Sequence, residues 1–150
     1  MTDATPTEPA DILLVEDNPG DVRLTKEAFR SIDRDVEFDV FTNGKSAVAF
    51  AKQHLSSDAE SRPDLILLDL NLPRIDGFEV LTVLEDELDA APPPVLVLSS
   101  STASQDIEQC YQRGCNAYLT KPDDMDEFTS MAASVKDFWL DTVQPPSVTA

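Results

Sequence analysis

Apolar residues in this chain gather into short continuous runs, separated by longer stretches with a helical period. Ile12 to Val15, Leu65 to Leu68 and Val95 to Leu98 are unbroken, and Ala117 to Leu119 is a weaker run of the same kind. A strand inside a parallel sheet is covered on both faces, so it carries apolar side chains in succession rather than in alternation. Val36 to Phe41 does alternate, with Val36, Phe38 and Val40 set against Glu37 and Asp39. That pattern belongs at or near a sheet edge.

Between the runs lie five helical stripes. Val22, Ala28, Phe29 and Ile32 follow Asn18 and Pro19, and proline suits a first helical position. Ala47, Ala51 and Leu55 follow Asn43, a candidate N-cap. Phe78, Leu81, Leu84 and Leu88 stand behind Asp76. Ile107, Cys110 and Tyr111 make a fourth stripe, which Thr102 and Gln105 would open as a capping pair. Phe128, Met131, Ala132, Val135, Phe138 and Trp139 make the fifth. Strand and helix thus alternate as an α/β chain, a (βα)5 doubly wound parallel five-stranded sheet. Residues 1–10 and 143–150 are expected to be flexible tails around a single domain over 11–142. Residues 58–63 read as a polar connector, and the prolines of 90–94 as a stiff turn ending the third helix.

Length and composition suit one domain with a sizeable core, since 150 residues carry 41% hydrophobic side chains. No apolar run has the length of a membrane span, and the first ten residues do not have the pattern of a secretory signal. A cytoplasmic location is the expectation. Charge changes the picture more. Eleven basic residues face 29 acidic ones, a net −18, which opposes direct binding to DNA or an anionic membrane. Most of those acids must coat the surface, as suits a halophile protein kept soluble where salt screens repulsion. Cys110 and Cys115 are too few for a disulfide scaffold and read as buried thiols, while His54 cannot by itself build a metal cage.

The polar residues that follow the strands are the candidate chemistry. In a doubly wound sheet, sites form at the carboxyl ends of the strands. Glu16 and Asp17 follow the first run, Asp69 the third strand, Ser99 and Ser100 the fourth, and Lys121 stands two residues past the fifth. Any one of these alone is more simply a turn or a cap. Together they put three carboxylates, hydroxyls and a lysine at one sheet edge. Crowded carboxylates resist ionisation without a counter-charge, and oxygen-only ligands favour a hard divalent ion such as Mg2+.

These residues carry a resemblance to the response-regulator receiver family. Ile12–Asp17 resembles its first-strand acidic pair, and Leu67–Gly77 its phosphoacceptor loop. Ser99, 22 residues before Lys121, resembles the Thr/Ser switch position, and Leu119–Pro122 the Lys-Pro turn. The likeness covers about residues 10 to 142. It implies a flavodoxin-like sheet of order 2-1-3-4-5 and a signalling switch rather than an enzyme, limited to self-catalysed phosphotransfer and autodephosphorylation. Asp69 would be the phosphoacceptor. Asp17, Asp69 and the Asn71 carbonyl would ligate Mg2+, with Glu16 acting through water. Lys121 would pair with the phosphoryl oxygens, and Ser99 and Tyr118 would switch the face of the fourth helix, fifth strand and fifth helix. Asn71 and Ser101 would tune dephosphorylation.

The stretch Glu16–Asp21 and the long second connector resemble single-domain regulators paired with bacterial phytochromes, which implies a sensor histidine kinase of that type as phosphodonor. Output would then run through an unknown downstream protein, through a homodimer, or by draining phosphate as a phosphorelay intermediate or sink. Two other classes fit less well. A haloacid-dehalogenase-like phosphatase wants a second Asp where this chain has Asn71, and a flavodoxin wants a hydroxyl-rich phosphate loop where it has Glu16 and Asp17.

Overall fold

The computed structural model describes residues 9–55, 63–72, 75–87 and 93–141. Residues 1–8 and 143–150 of the expected tails lie outside the described residues, as do Thr142 at the end of the expected domain, 58–62 of the connector, 73–74 of the loop Leu67–Gly77, 90–92 of the turn, Leu88, and the side chains of His54 and Leu55. Five strands, β1 (Ala10–Val15), β2 (Val36–Phe41), β3 (Leu65–Asp69), β4 (Val95–Ser99) and β5 (Ala117–Thr120), pair in the order β2-β1-β3-β4-β5. Every pairing is parallel. Parallel neighbours need a crossover, and helices supply it: α1 (Pro19–Ser31), α2 (Gly44–Phe50), α3 (Gly77–Glu87), α4 (Ser104–Gln112) and α5 (Met125–Ser134).

Alternate residues of the central strands feed two cores, which is why their sequences are continuously apolar. Leu13, Val15, Ile66, Leu68, Val95 and Val97 face one core with Ala47, Val80, Leu81, Leu84 and Cys110. Ile12, Leu14, Leu65, Leu67 and Leu96 face the other with Ala28, Phe29, Phe128 and Ala132. Each large side chain so buried contributes on the order of 1.5–3 kcal/mol. Strand β2 lies at the sheet edge, with Val36, Phe38 and Val40 half-buried and Glu37 and Asp39 exposed, as its alternation requires.

Helix starts follow local chemistry. The Asn18 side chain accepts the N–H groups of Gly20 and Asp21 at 2.8 and 3.1 Å, and Pro19 opens α1. Asn43 caps α2 through the Ser46 N–H at 2.8 Å, and Asp76 accepts the Glu79 N–H at 3.0 Å at the start of α3. Asp124 does the same for α5, accepting the Glu127 N–H at 2.9 Å.

Three expectations about helices are corrected. Helix α4 does not open on Thr102 and Gln105. Its N-cap is Ala103, which has no capping side chain. The stripe of α5 does not continue to Phe138, which is 54% exposed. Residues Val135–Leu140 form a wider turn, closed by the Asp141 N–H on the Lys136 carbonyl at 2.8 Å, and the changed period swings Phe138 outward. Tyr111 is likewise 50% exposed rather than in the core, its hydroxyl accepting the Tyr118 N–H at 3.1 Å. No helix among the described residues is long and apolar enough to cross a membrane.

Candidate functional site

Register delivers the polar residues to one place. Val15 pairs with Leu68 and with Phe41, Asp69 with Leu98, and Ser99 with Thr120. The residues just beyond therefore share the carboxyl edge of the sheet. Backbone bonds extend the order past the strands: the Leu70 N–H reaches the Leu98 carbonyl at 3.2 Å and the Lys121 N–H the Ser99 carbonyl at 2.9 Å. Gly77 permits a tight approach behind Asp69. A Cβ there would stand 2.5 Å from the Leu70 Cα and 2.9 Å from the Asp69 carbonyl oxygen, too close for any side chain.

Glu16 and Asp69 are buried, Asp17 is exposed, and each offers a carboxylate oxygen within 4.8 Å of the others. Lys121 closes the pocket. Its Nζ lies 3.0 Å from Glu16 Oε1 and 3.1 Å from Asp69 Oδ2. It also lies 3.0 Å from Asp21 Oδ2, in the first turn of α1. The remaining oxygens are held by backbone: the Asn18 N–H donates to Glu16 Oε2 at 3.1 Å and the Asn71 N–H to Asp69 Oδ1 at 3.0 Å.

Electrostatics shows a site short of positive charge. Burial, reinforced by the neighbouring Asp69, pushes the Glu16 carboxyl up to about 8. Burial works to lower the Lys121 ammonium, but the carboxylates of Asp21, Glu16 and Asp69 outweigh it and raise that group. Glu16, Asp17, Asp21 and Asp69 thus set four carboxylates against one ammonium. Clustered hard oxygens around an excess of negative charge fit a divalent ion of the Mg2+ class. Such a pocket can hold a metal, present Asp69 as a nucleophile, and bring Lys121 to a phosphoryl oxygen.

The other sequence-predicted residues Ser99, Tyr118 and Ser101 are bonded to one another. Ser99 is buried at the end of β4, and its Oγ accepts the Ser101 N–H at 3.1 Å. Half-buried Tyr118 donates its hydroxyl to the Ser101 carbonyl at 2.8 Å. The Ser101 hydroxyl is turned away, donating to Asp106 at 2.6 Å. Asp21 and Asp106 were not singled out from the sequence. The signal for Asp21 was available, an acid three residues past an Asn cap and so directed back toward the strand ends. Cys110 and Cys115 are free buried thiols, pushed by burial up to about 11 and about 12, and they take no part.

Comparison with known proteins agrees with this geometry. The family described as response regulator receiver domain matches residues 12–133. Response regulator Rcp1 of Synechocystis sp. is 39% identical over 139 residues, covering 93% of this chain and 95% of that protein. The phosphorylated cyanobacterial phytochrome response regulator RcpA superposes with a TM-score of 0.81 at 38% identity, covering 93% of this chain and all of the other. The Mn2+-bound form of Rcp1 does so with a TM-score of 0.77 at 38% identity, over 93% of this chain and 100% of that one. Another receiver, from the sensor histidine kinase PA1611 of Pseudomonas aeruginosa, holds magnesium in its active-site cleft, with a TM-score of 0.66 at 28% identity over 89% of this chain and 98% of its own. On the match over 12–133 and the near full-length likeness to Rcp1, the chain belongs to the response-regulator receiver family.

Proposed function

We propose that Asp69 is the phosphoacceptor of a Mg2+-dependent signalling switch, charged by a sensor histidine kinase of the phytochrome type. The observation that carries this is the convergence of Glu16, Asp17 and Asp69 within 4.8 Å, with the Lys121 ammonium 3.1 Å from Asp69. An Asp69 oxygen bonds to phosphorus as the P–N bond of a phosphohistidine breaks, its electron pair returning to the imidazole. Asp17, Asp69 and the Asn71 carbonyl would hold the metal, with Glu16 acting through water, and a bound ion would supply positive charge opposite the transferred group. The Asn71 N–H steadies Asp69 from one side, and Lys121 meets the phosphoryl oxygens as a point charge.

Ser99 then turns to the phosphoryl group and Tyr118 repacks, which resets the surface of α4, β5 and α5 for a downstream protein. Ser101 tunes hydrolysis of the acyl phosphate. RcpA, a phytochrome response regulator known in a phosphorylated form, supports both the chemistry and the kinase class. The reading places the protein in the cytoplasm with that kinase, and the net −18 supports a salt-rich interior. Replacing Asp69 by Ala is expected to abolish labelling from acetyl phosphate and from a cognate kinase, with the fold retained. Label that persists on another residue would sink the assignment.

A further inference from the structure

Ser101 spends all of its hydrogen-bonding groups on three different elements. Its N–H donates to Ser99 Oγ at 3.1 Å, at the end of β4. Its carbonyl accepts the Tyr118 hydroxyl from β5 at 2.8 Å. Its hydroxyl accepts the Ala103 N–H at 3.2 Å and donates to Asp106 Oδ2 at 2.6 Å, in the first turn of α4. A helix start normally satisfies its free N–H groups with a capping side chain, and Ala103 has none to give. Ser101, outside the helix, takes the Ala103 N–H instead and is itself held by Asp106 within the first turn. Of these bonds, the one to the Asp106 carboxylate is charge-assisted and the shortest.

Ser99, where this chain of bonds begins, follows Leu98, the register partner of Asp69 on the neighbouring strand. We infer that Asp106 is a positioning residue of the switch: by holding the Ser101 hydroxyl, its carboxylate ties the first turn of α4 to the Ser99 arrangement found with Asp69 free. This rests on the reading of Asp69 as phosphoacceptor. Moving the Ser99 hydroxyl toward a phosphoryl group strains its bond to the Ser101 N–H. Ser101 cannot follow without disturbing Asp106, so α4 feels the change through Asp106 as well as through Tyr118. Coupling of this kind is reciprocal. A tether that favours the free state must weaken binding at the pocket.

The test uses the whole chain and beryllofluoride with magnesium as the phosphoryl mimic, titrated by the Asn71 amide signal. Asp106→Ala and, independently, Ser101→Ala are expected to tighten apparent binding by about fivefold or more. In a Ser99→Ala background the Asp106→Ala effect is expected to vanish, because the link to the pocket is already cut. Amide signals of Ser104–Ile107 report whether α4 still forms, and Asp106→Asn preserves size if the Ala variant folds poorly. Unchanged affinity, or an Asp106→Ala effect of equal size with and without the Ser99 hydroxyl, would reduce Asp106 to a local anchor of the Ser101 hydroxyl and overturn the inference. Failure of the unaltered chain to bind the mimic would instead remove the reading of Asp69, and this one with it.

Discussion

Glu16 lies beside Asp69 with its carboxyl pushed up to about 8, first by burial and then by that neighbour. In the unfolded chain the same group titrates near 4.5, so between those values the folded chain keeps a proton that the unfolded chain has lost. Its contribution to stability is complete below the lower value and disappears as pH climbs toward the upper one. In chelator, the melting temperature should therefore fall between about pH 5 and 8 more steeply for the unaltered chain than for Glu16→Gln. Parallel melting curves for the two would mean that Glu16 is already ionised in the metal-free fold. Magnesium uptake should strengthen over the same window, because oxygen ligands bind a metal in their deprotonated form. Glu16, Asp17, Asp69 and Lys121 were legible because a strand fixes where the residues just after it stand. Asp21 was legible only in part: its place after the Asn18 cap turns it toward the strand ends, but its distance to Lys121 also depends on the angle at which α1 leaves the sheet.

Strands were the most legible elements, since burial on both faces leaves a continuous apolar run that few other arrangements produce. Helix ends were less so. The run from Ser99 to Ser104 offers many side chains able to cap, yet the Ser101 hydroxyl is taken by half-buried Asp106 and its carbonyl by Tyr118 of the next strand. The far end of α4 rests on a single glycine. Gly114 sits at φ 103, its N–H on the Tyr111 carbonyl and the next N–H, of Cys115, on the Cys110 carbonyl, both at 3.1 Å. A Cβ there would run into the Glu85 carboxylate of α3. Gly114→Ala is expected to cost about 1–3 kcal/mol, combining left-handed backbone strain with displacement of Glu85. Calorimetry should show a melting temperature lower by roughly 2–10 °C. In a Glu85→Ala background only the backbone part should remain, so an undiminished penalty there would refute the clash.

At the scale of the whole molecule, 29 acids against 11 bases leave −18 spread over a small surface. Eleven bases cannot neutralise 29 acids however they pair. The pocket draws in Glu16, Asp21 and Asp69 around Lys121, while Lys136 and Arg34 both lean on Asp141. Unpaired like charges on a compact body repel, and that repulsion favours expansion. Salt shortens its range from about 10 Å at 0.1 M to about 3 Å at 1 M. Raising KCl from tenths molar to molar should therefore stabilise the fold by about 2 kcal/mol, a rise of roughly 4–8 °C in melting temperature. KCl is the informative salt, because sulfate would strengthen apolar burial as well. Magnesium acts differently, at one pocket and by mass action, so its effect should saturate at low concentration and vanish in Asp17→Asn. The KCl effect should persist in that variant. A melting temperature that stays flat or falls with KCl would mean the coat is not net repulsive, leaving a salt-rich interior without physical support.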